Sequence, residues 1–175
     1  PDTCAIVHPA KLAIELARAC REAGVQIHEH TRAVSLQTSG GGLRVGTEAA
    51  VLDAKRVMLA TNVYPSLVRR NRWYTVPVYD YVLATEPLTD DQLDRIGWRN
   101  RQGVGDCANQ FHYYRLTEDN RVVWGGYDAI YHFGRRVDAV YEDRPQTYRR
   151  LAEHFFITFP QLDDPYSGRK LMERT

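Results

Sequence analysis

Apolar residues recur at helical spacing at Leu12, Leu16, Ala19, Cys20 and Ala23, with Pro9 ahead of them and Gly24 behind. This pattern predicts an amphipathic helix over residues 9–23, opened by a proline that needs no N–H there and stopped by a glycine. The period then changes. Val25 and Ile27 alternate with Gln26 and His28 and lead into an extended run from Thr31 to Leu36, and Thr38-Ser39-Gly40-Gly41-Gly42 turns the chain back into Leu43 to Thr47. The expected unit is a β-hairpin following a helix. Val57-Met58-Leu59-Ala60 is a continuous apolar run ended by Thr61-Asn62, the pattern of a short strand buried on both faces.

After Arg69-Arg70-Asn71-Arg72 the composition shifts and aromatic residues crowd in at Trp73, Tyr74, Tyr79, Tyr81, Phe111, Tyr113, Tyr114 and Trp124. Residues 74–85 and 111–126 read as long strands, the second pair joined by a turn at Glu118-Asp119-Asn120, and predict an antiparallel sheet. Tyr79–Leu83, Tyr113–Leu116 and Val122–Trp124 are expected to share that sheet. Asp90 to Ile96, closed by Gly97, reads as a short helix. Pro145 opens a last helix with the stripe Tyr148, Leu151, Ala152, Phe155 and Phe159, stopped by Pro160. The fold class predicted is α+β: residues 1–72 form a first region, residues 73–160 a sheet with a packed helix, and residues 161–175 a tail without periodicity.

The chain has 175 residues, 43% hydrophobic and 26% charged, a composition that excludes a wholly disordered chain or a coiled coil. Its apolar runs are far shorter than the ~20 residues that span a bilayer, so no membrane partner is expected. A formal charge of +1 supplies no global field to gather nucleic acid. The run Arg69–Arg72 beside Trp73 and Tyr74 is therefore read as a solvated linker, and nucleic acid is not expected as a partner. Cys4, Cys20 and Cys107 have neither zinc nor disulfide spacing, which fits a reducing, cytoplasmic compartment. The first residue is Pro1, and the expectation is a piece of a longer chain. The composition does not determine an oligomeric state.

No self-sufficient catalytic motif is present. Gly40-Gly41-Gly42 precedes a strand, so it reads as a hairpin turn and not as a phosphate loop. His28 and His30 would share one face of a strand, but no third ligand accompanies them and no metal is expected. Tyr79, Tyr81, Tyr113, Tyr114, Trp124, Tyr127 and Tyr131 supply more polar-tipped rings than a plain core needs. They belong either to a site for an organic substrate or to a sheet face covered by another domain.

Several segments carry a family resemblance: His8-Pro9-Ala10-Lys11-Leu12, Glu22-Ala23-Gly24-Val25, His30-Thr31-Arg32 and Val57 through Tyr64. To these are added Tyr81 to Leu88, Tyr113-Tyr114-Arg115-Leu116-Thr117 and Asp119 through Gly126. Together they resemble the D-amino-acid oxidase family of FAD-dependent oxidoreductases, in its glycine/D-amino-acid and gamma-glutamylputrescine oxidoreductase branch, over about residues 3–162. The resemblance implies that residues 1–72 are part of an FAD-binding α/β domain and that residues 73–160 are the antiparallel substrate-domain sheet.

It further implies that Ala33 touches the adenine through its main chain, and that Ala60, Thr61 and Asn62 pack against FAD. Asn62 stands where the family often has glycine, a place where asparagine tolerates the left-handed conformation. The parent enzyme would oxidise the C–N bond of an amine or amino acid, passing hydride to flavin N5. Tyr113, Tyr114 and Trp124 are candidates for the substrate wall. Arg115 is either a carboxylate partner through its planar fork or an exposed sheet cation. The family's strand–G-x-G-x-x-G–helix unit, which holds the FAD pyrophosphate, has no counterpart in this sequence. FAD is thus expected in the full-length parent, while this chain alone is expected neither to retain it nor to turn over an amine. A non-enzymatic binding module and an inactive fragment are the alternatives.

Overall fold

The computed structural model describes residues 5–126 and 128–163, together with the backbone of residues 172–174. The chain divides into two compact units, Pro1–Val76 and Pro77–Thr175.

The first unit begins with helix α1 (Pro9–Glu22). The His8 ring accepts a hydrogen bond from the Lys11 N–H, Pro9 fills the first turn, and Arg18 bridges Glu15 and Glu22 along the exposed face. No residue of α1 is buried. Three strands follow in the order β1 (Ala33–Ser39), β2 (Gly42–Thr47) and β3 (Val51–Ala54), all antiparallel. Gly40 and Gly41 both have positive φ, 53° and 86°, the requirement of a two-residue primed turn whose twist matches the strands. β3 was not foreseen. It forms because Thr47 ties the next turn, its hydroxyl bonding to both Ala50 N–H and C=O, and because Arg44 grips Asp53 across the strands at 2.8 Å.

Two expectations for this unit are corrected. His28 and His30 do not lie on a strand: residues 29 and 30 form a turn, with His30 at φ 51°. Residues 57–60 belong to no strand, and Met58 is 90% exposed. A doubly buried strand needs neighbours on both edges, and no described strand lies beside this run.

The second unit is a five-stranded antiparallel sheet in the order β5-β6-β7-β4-β8. The strands are β4 (Val82–Thr85), β5 (Val104–Gly105), β6 (His112–Leu116), β7 (Val122–Gly126) and β8 (Met172–Arg174). Helix α2 (Asp90–Ile96) starts at a full capping box made by Thr89 and Gln92 and stops at Gly97 in the left-handed conformation. Helix α3 (Pro145–Thr158) lays Thr147, Leu151 and Phe155 onto the sheet. Its first turn is tied to the exit of β7, where Asp128 accepts from Thr147 and Arg150 at 2.8 and 2.6 Å.

Val82–Leu83, Tyr113–Leu116 and Val122–Trp124 share one antiparallel sheet, with Leu83 paired to Trp124 and Tyr114 facing Trp124; of the rest of the expected strand Tyr79–Leu83, Tyr79 makes an isolated bridge to Ile130, and Asp80 and Tyr81 lie outside the strands. Residues 74–78, expected as the start of a long strand, are not one. Pro77 lies within them, and a proline cannot donate to a ladder and restrains the residue before it. The tail is also corrected. Pro160–Leu162 is a 3-10 turn whose Leu162 is 3% exposed in the core, and the backbone of 172–174 pairs with β4. Residues 164–171 and 175 of that tail, together with Cys4 and Tyr127, lie outside the described residues.

Candidate functional site on the helix-free face of the sheet

Alternation along the strands sorts the second sheet into two faces. His112, Tyr114 and Leu116 of β6, Val122 and Trp124 of β7, and Leu83 of β4 point toward the helices, as their register and ring contacts show. Tyr113 and Arg115, Val123 and Gly125, and Val82 and Ala84 point the other way.

On the helix-side face Trp124 is 1% exposed and meets Phe155 and Phe159 edge-on, while Tyr114 packs against Trp98 and Phe159. These two candidates for the substrate wall therefore furnish the core beneath the sheet. A polar chain borders it: His112 Nδ1 lies 2.7 Å from Asp106, its Nε2 lies 2.9 Å from His154 Nδ1, and its ring stacks on Trp124. The Asp106 carboxyl is held down to about 2 by the Ala108 N–H and by both the ring and the N–H of His112. Burial holds His154 below its ordinary value, with the neighbouring His112 and Arg150 acting in the same direction.

The opposite face has a different construction. The Tyr113 side chain leaves β6, crosses β7 and donates a 2.7 Å hydrogen bond to Asp80, two residues ahead of β4. Two strand spacings separate its origin from its target, about 10 Å. The crossing is possible because β7 carries glycine where the ring passes: a Cβ on Gly125 would sit 2.5 Å from the ring. Phe111 steadies the ring from its other side, with centroids 6.3 Å apart. Burial and then the Asp80 carboxylate push the Tyr113 hydroxyl far above its ordinary range, so it remains a neutral donor at any physiological pH.

Arg115 shares this face two residues along β6. It is half-buried and has no hydrogen-bond or ion-pair partner among the described residues. The second oxygen of Asp80 is likewise unpartnered. Asp80 was missed from sequence: one carboxylate within Val-Tyr-Asp-Tyr-Val carries no motif, and only the register reveals what it faces.

In the first unit Ala33 opens β1 at a bulge before Ser35, which frees main-chain groups locally and suits a main-chain contact. Asn62 has φ 50°, the left-handed conformation expected of it, in a turn where Tyr64 N–H bonds Thr61 C=O. Ala60 and Asn62 are exposed. The basic run lies in a 3-10 turn, Arg69–Trp73, where Arg72 stacks over Trp73 at 4.7 Å.

The described helices and the two antiparallel sheets make an α+β fold. The L-proline dehydrogenase from P. horikoshii superposes with a TM-score of 0.68 over 88% of this chain and 40% of its own, at 19% identity. The profile of the FAD dependent oxidoreductase family matches residues 1–172, and the chain belongs to that family. Gamma-glutamylputrescine oxidoreductase of Escherichia coli K12 is 32% identical over 162 residues, 89% of this chain and 34% of its own length. Probable oxidoreductase OrdL of Haemophilus influenzae is 32% identical over 126 residues, 68% of this chain and 28% of its own. The chain thus spans about a third of the length of these curated relatives.

FAD is the cofactor of that family. By the resemblance, the bulged main chain at Ala33 and the left-handed Asn62 are the places where the adenosine end of such a molecule would lie. Its pyrophosphate finds no cradle here: among the described residues no glycine-rich turn opens a helix, and α1 starts at His8-Pro9.

Proposed function

We propose that this chain supplies the substrate sheet and part of the cofactor domain of an FAD-dependent oxidoreductase that oxidises the C–N bond of a small-molecule amine or amino acid. The observation that carries the reading is the helix-free face, where β6 fixes the spacing of Tyr113 and a partnerless Arg115 and Tyr113 is hydrogen-bonded to Asp80, two residues ahead of β4. Strand-borne groups hold a substrate more rigidly than loop-borne ones, and rigid placement is what the protein contributes when a cofactor carries the redox chemistry. Bound flavin would supply the acceptor for the two electrons leaving the C–N bond. Arg115 would take a substrate carboxylate through its fork, the Tyr113 hydroxyl oxygen, whose proton goes to Asp80, would accept a hydrogen bond, and Ala33 with Ala60, Thr61 and Asn62 would line the adenosine end of FAD. Family membership and the curated gamma-glutamylputrescine oxidoreductase relative support the substrate class.

The experiment compares the 175-residue chain with the same chain expressed together with its flanking coding sequence. The short chain is expected to remain colourless after incubation with FAD and gel filtration, because a ligand of that size is not held by one end. The extended protein is expected to purify yellow and to bleach anaerobically when an amine or amino acid is added. Bleaching by a 2-hydroxy acid and not by any amine would overturn the reading.

A further inference from the structure

One oxygen of Asp80 accepts from Tyr113 and no described group bonds the other, while Phe111 flanks the Tyr113 ring and the same face carries the partnerless Arg115. Tyr113 donates to one carboxylate oxygen at 2.7 Å and so fixes the carboxylate plane. The ring of Tyr113 is itself fixed, lying across bare backbone at Gly125 and flanked by Phe111. This arrangement costs something to build. A glycine inside a strand weakens it, and Gly125 is followed by Gly126 at φ 122°, where a Cβ would collide with the Phe111 carbonyl. The consecutive glycines let β6 and β7 close beneath the Tyr113 ring. A structural ion pair would not account for the result, because no described cation bonds Asp80.

We propose that Asp80 is the ammonium-recognition residue of this site, and that its ligand class is a primary alkylammonium. One N–H would go to the free Asp80 oxygen, and the charge would lie near the edges and faces of Tyr113 and Phe111. Each part of the arrangement has a chemical counterpart in such a ligand. The carboxylate oxygen accepts a charge-assisted hydrogen bond, the rings attract a cation by their quadrupoles, and the protonated Tyr113 hydroxyl keeps Asp80 from rotating away. Arg115, two residues and so about 7 Å from Tyr113 along β6, lies in register with Ala84 and on the opposite side of Tyr113 from Asp80, so its charge sets the direction in which a substrate with one positive end lies. The inference rests on the reading of this face as the substrate site and adds the residue that selects the charge of the substrate's nitrogen end.

The test uses the 175-residue chain without flavin. Tyrosine ring resonances are followed by NMR, with Tyr113 assigned through Tyr113→Phe, while n-butylammonium chloride is titrated at constant ionic strength. Sodium butyrate serves as the anionic control. A saturable shift of the Tyr113 ring with butylammonium and none with butyrate is expected. Asp80→Asn should weaken the binding about tenfold, the worth of a charge-assisted hydrogen bond, and Asp80→Glu should restore part of it. Asp80 is exposed, and the amide spectrum reports whether each variant is folded. No saturable shift in the wild-type chain, or equal affinity in folded Asp80→Asn, would overturn the proposal. If butylammonium binds as described but the extended protein's flavin does not bleach with amines, the ammonium site stands and the oxidoreductase reading falls.

Discussion

In the unit Pro77–Thr175, Val122, Trp124, Leu151 and Phe155 expose 1% or less of their surface and belong to one cluster with Tyr81, Leu116 and Leu162. In the unit Pro1–Val76, Gly46 is the only described residue that is buried, while Leu12, Ile14 and Leu16 of α1 are about half exposed or more. The second unit therefore has the apolar burial that stabilises a fold. The first is held by hairpin ladders, a helix cap and surface ion pairs. An amphipathic helix draws most of its stability from packing its apolar stripe, and no described residue of its own unit buries the stripe of α1. The contrast separates a sheet with a core of its own from a helix and hairpins whose apolar positions no described residue of their unit covers.

The largest expected effects come from deleting matched side chains in the two units. Trp124→Ala and Leu151→Ala should each cost about 3–5 kcal/mol in urea unfolding, because each leaves a cavity among rings that cannot collapse. Leu16→Ala and Ile14→Ala should stay within about 0.5 kcal/mol. Trp124→Phe is expected to be far milder than Trp124→Ala, since the indole N–H is buried without a partner and its removal takes away an unsatisfied donor. Comparable losses at Leu16 and Leu151 would break the contrast and show a core in the first unit.

Glycines sharpen the same comparison at a smaller scale. Gly125→Ala should cost about 1–3 kcal/mol, as expected for overpacking, and should displace Tyr113 from Asp80, which the Tyr113 ring resonance would register. Gly41→Ala lies in open space with φ 86°. Its cost is the left-handed conformation alone, about 1–2 kcal/mol, with no change reaching the second unit. A Tyr113 resonance unmoved in Gly125→Ala would remove the argument that the ring needs that bare backbone.

Local chemistry was legible in the sequence wherever a few adjacent residues decide the outcome. Gly97 closes α2, Pro9 and Gly24 delimit α1, and the glycine triplet sets the hairpin. The period-two pattern of Tyr113–Leu116 and Val122–Trp124 gave the pairing correctly. It could not say which of Tyr113 and Trp124 faces the helices, because both positions carry large aromatic rings and only the cross-strand glycine tells the faces apart. Residues 57–60 read as a buried strand because an apolar run records what a segment can bury, not whether neighbours are present. The contacts Asp80 to Tyr113 and His112 to His154 join residues 33 and 42 positions apart, and no local pattern encodes them.

The smallest effects are those of pH, and they too should fall unequally on the two units. In the second unit Asp106 titrates near 2 in the folded state, against an ordinary value of 3.8. The unfolded chain thus binds the proton more readily, so the stabilisation is complete above about pH 4 and is lost as the pH falls toward 2. His154 is held below its ordinary value of 6.5 by burial. The unfolded state again binds more protons, so stability declines as the pH drops below about 6.5, before Asp106 begins to titrate. In the first unit Arg44 lowers Asp53, but the pair is solvated and screened by salt. Urea midpoints measured from neutral pH downward should therefore fall in two stages for the second unit. His154→Gln should flatten the first stage and Asp106→Asn the second, while Asp53→Asn should leave both unchanged. Salt should not flatten either stage much, since hydrogen bonds and burial outrank long-range charge in both shifts. A single stage, insensitive to His154→Gln, would show that the His112–His154 contact does not set the acid response of the core.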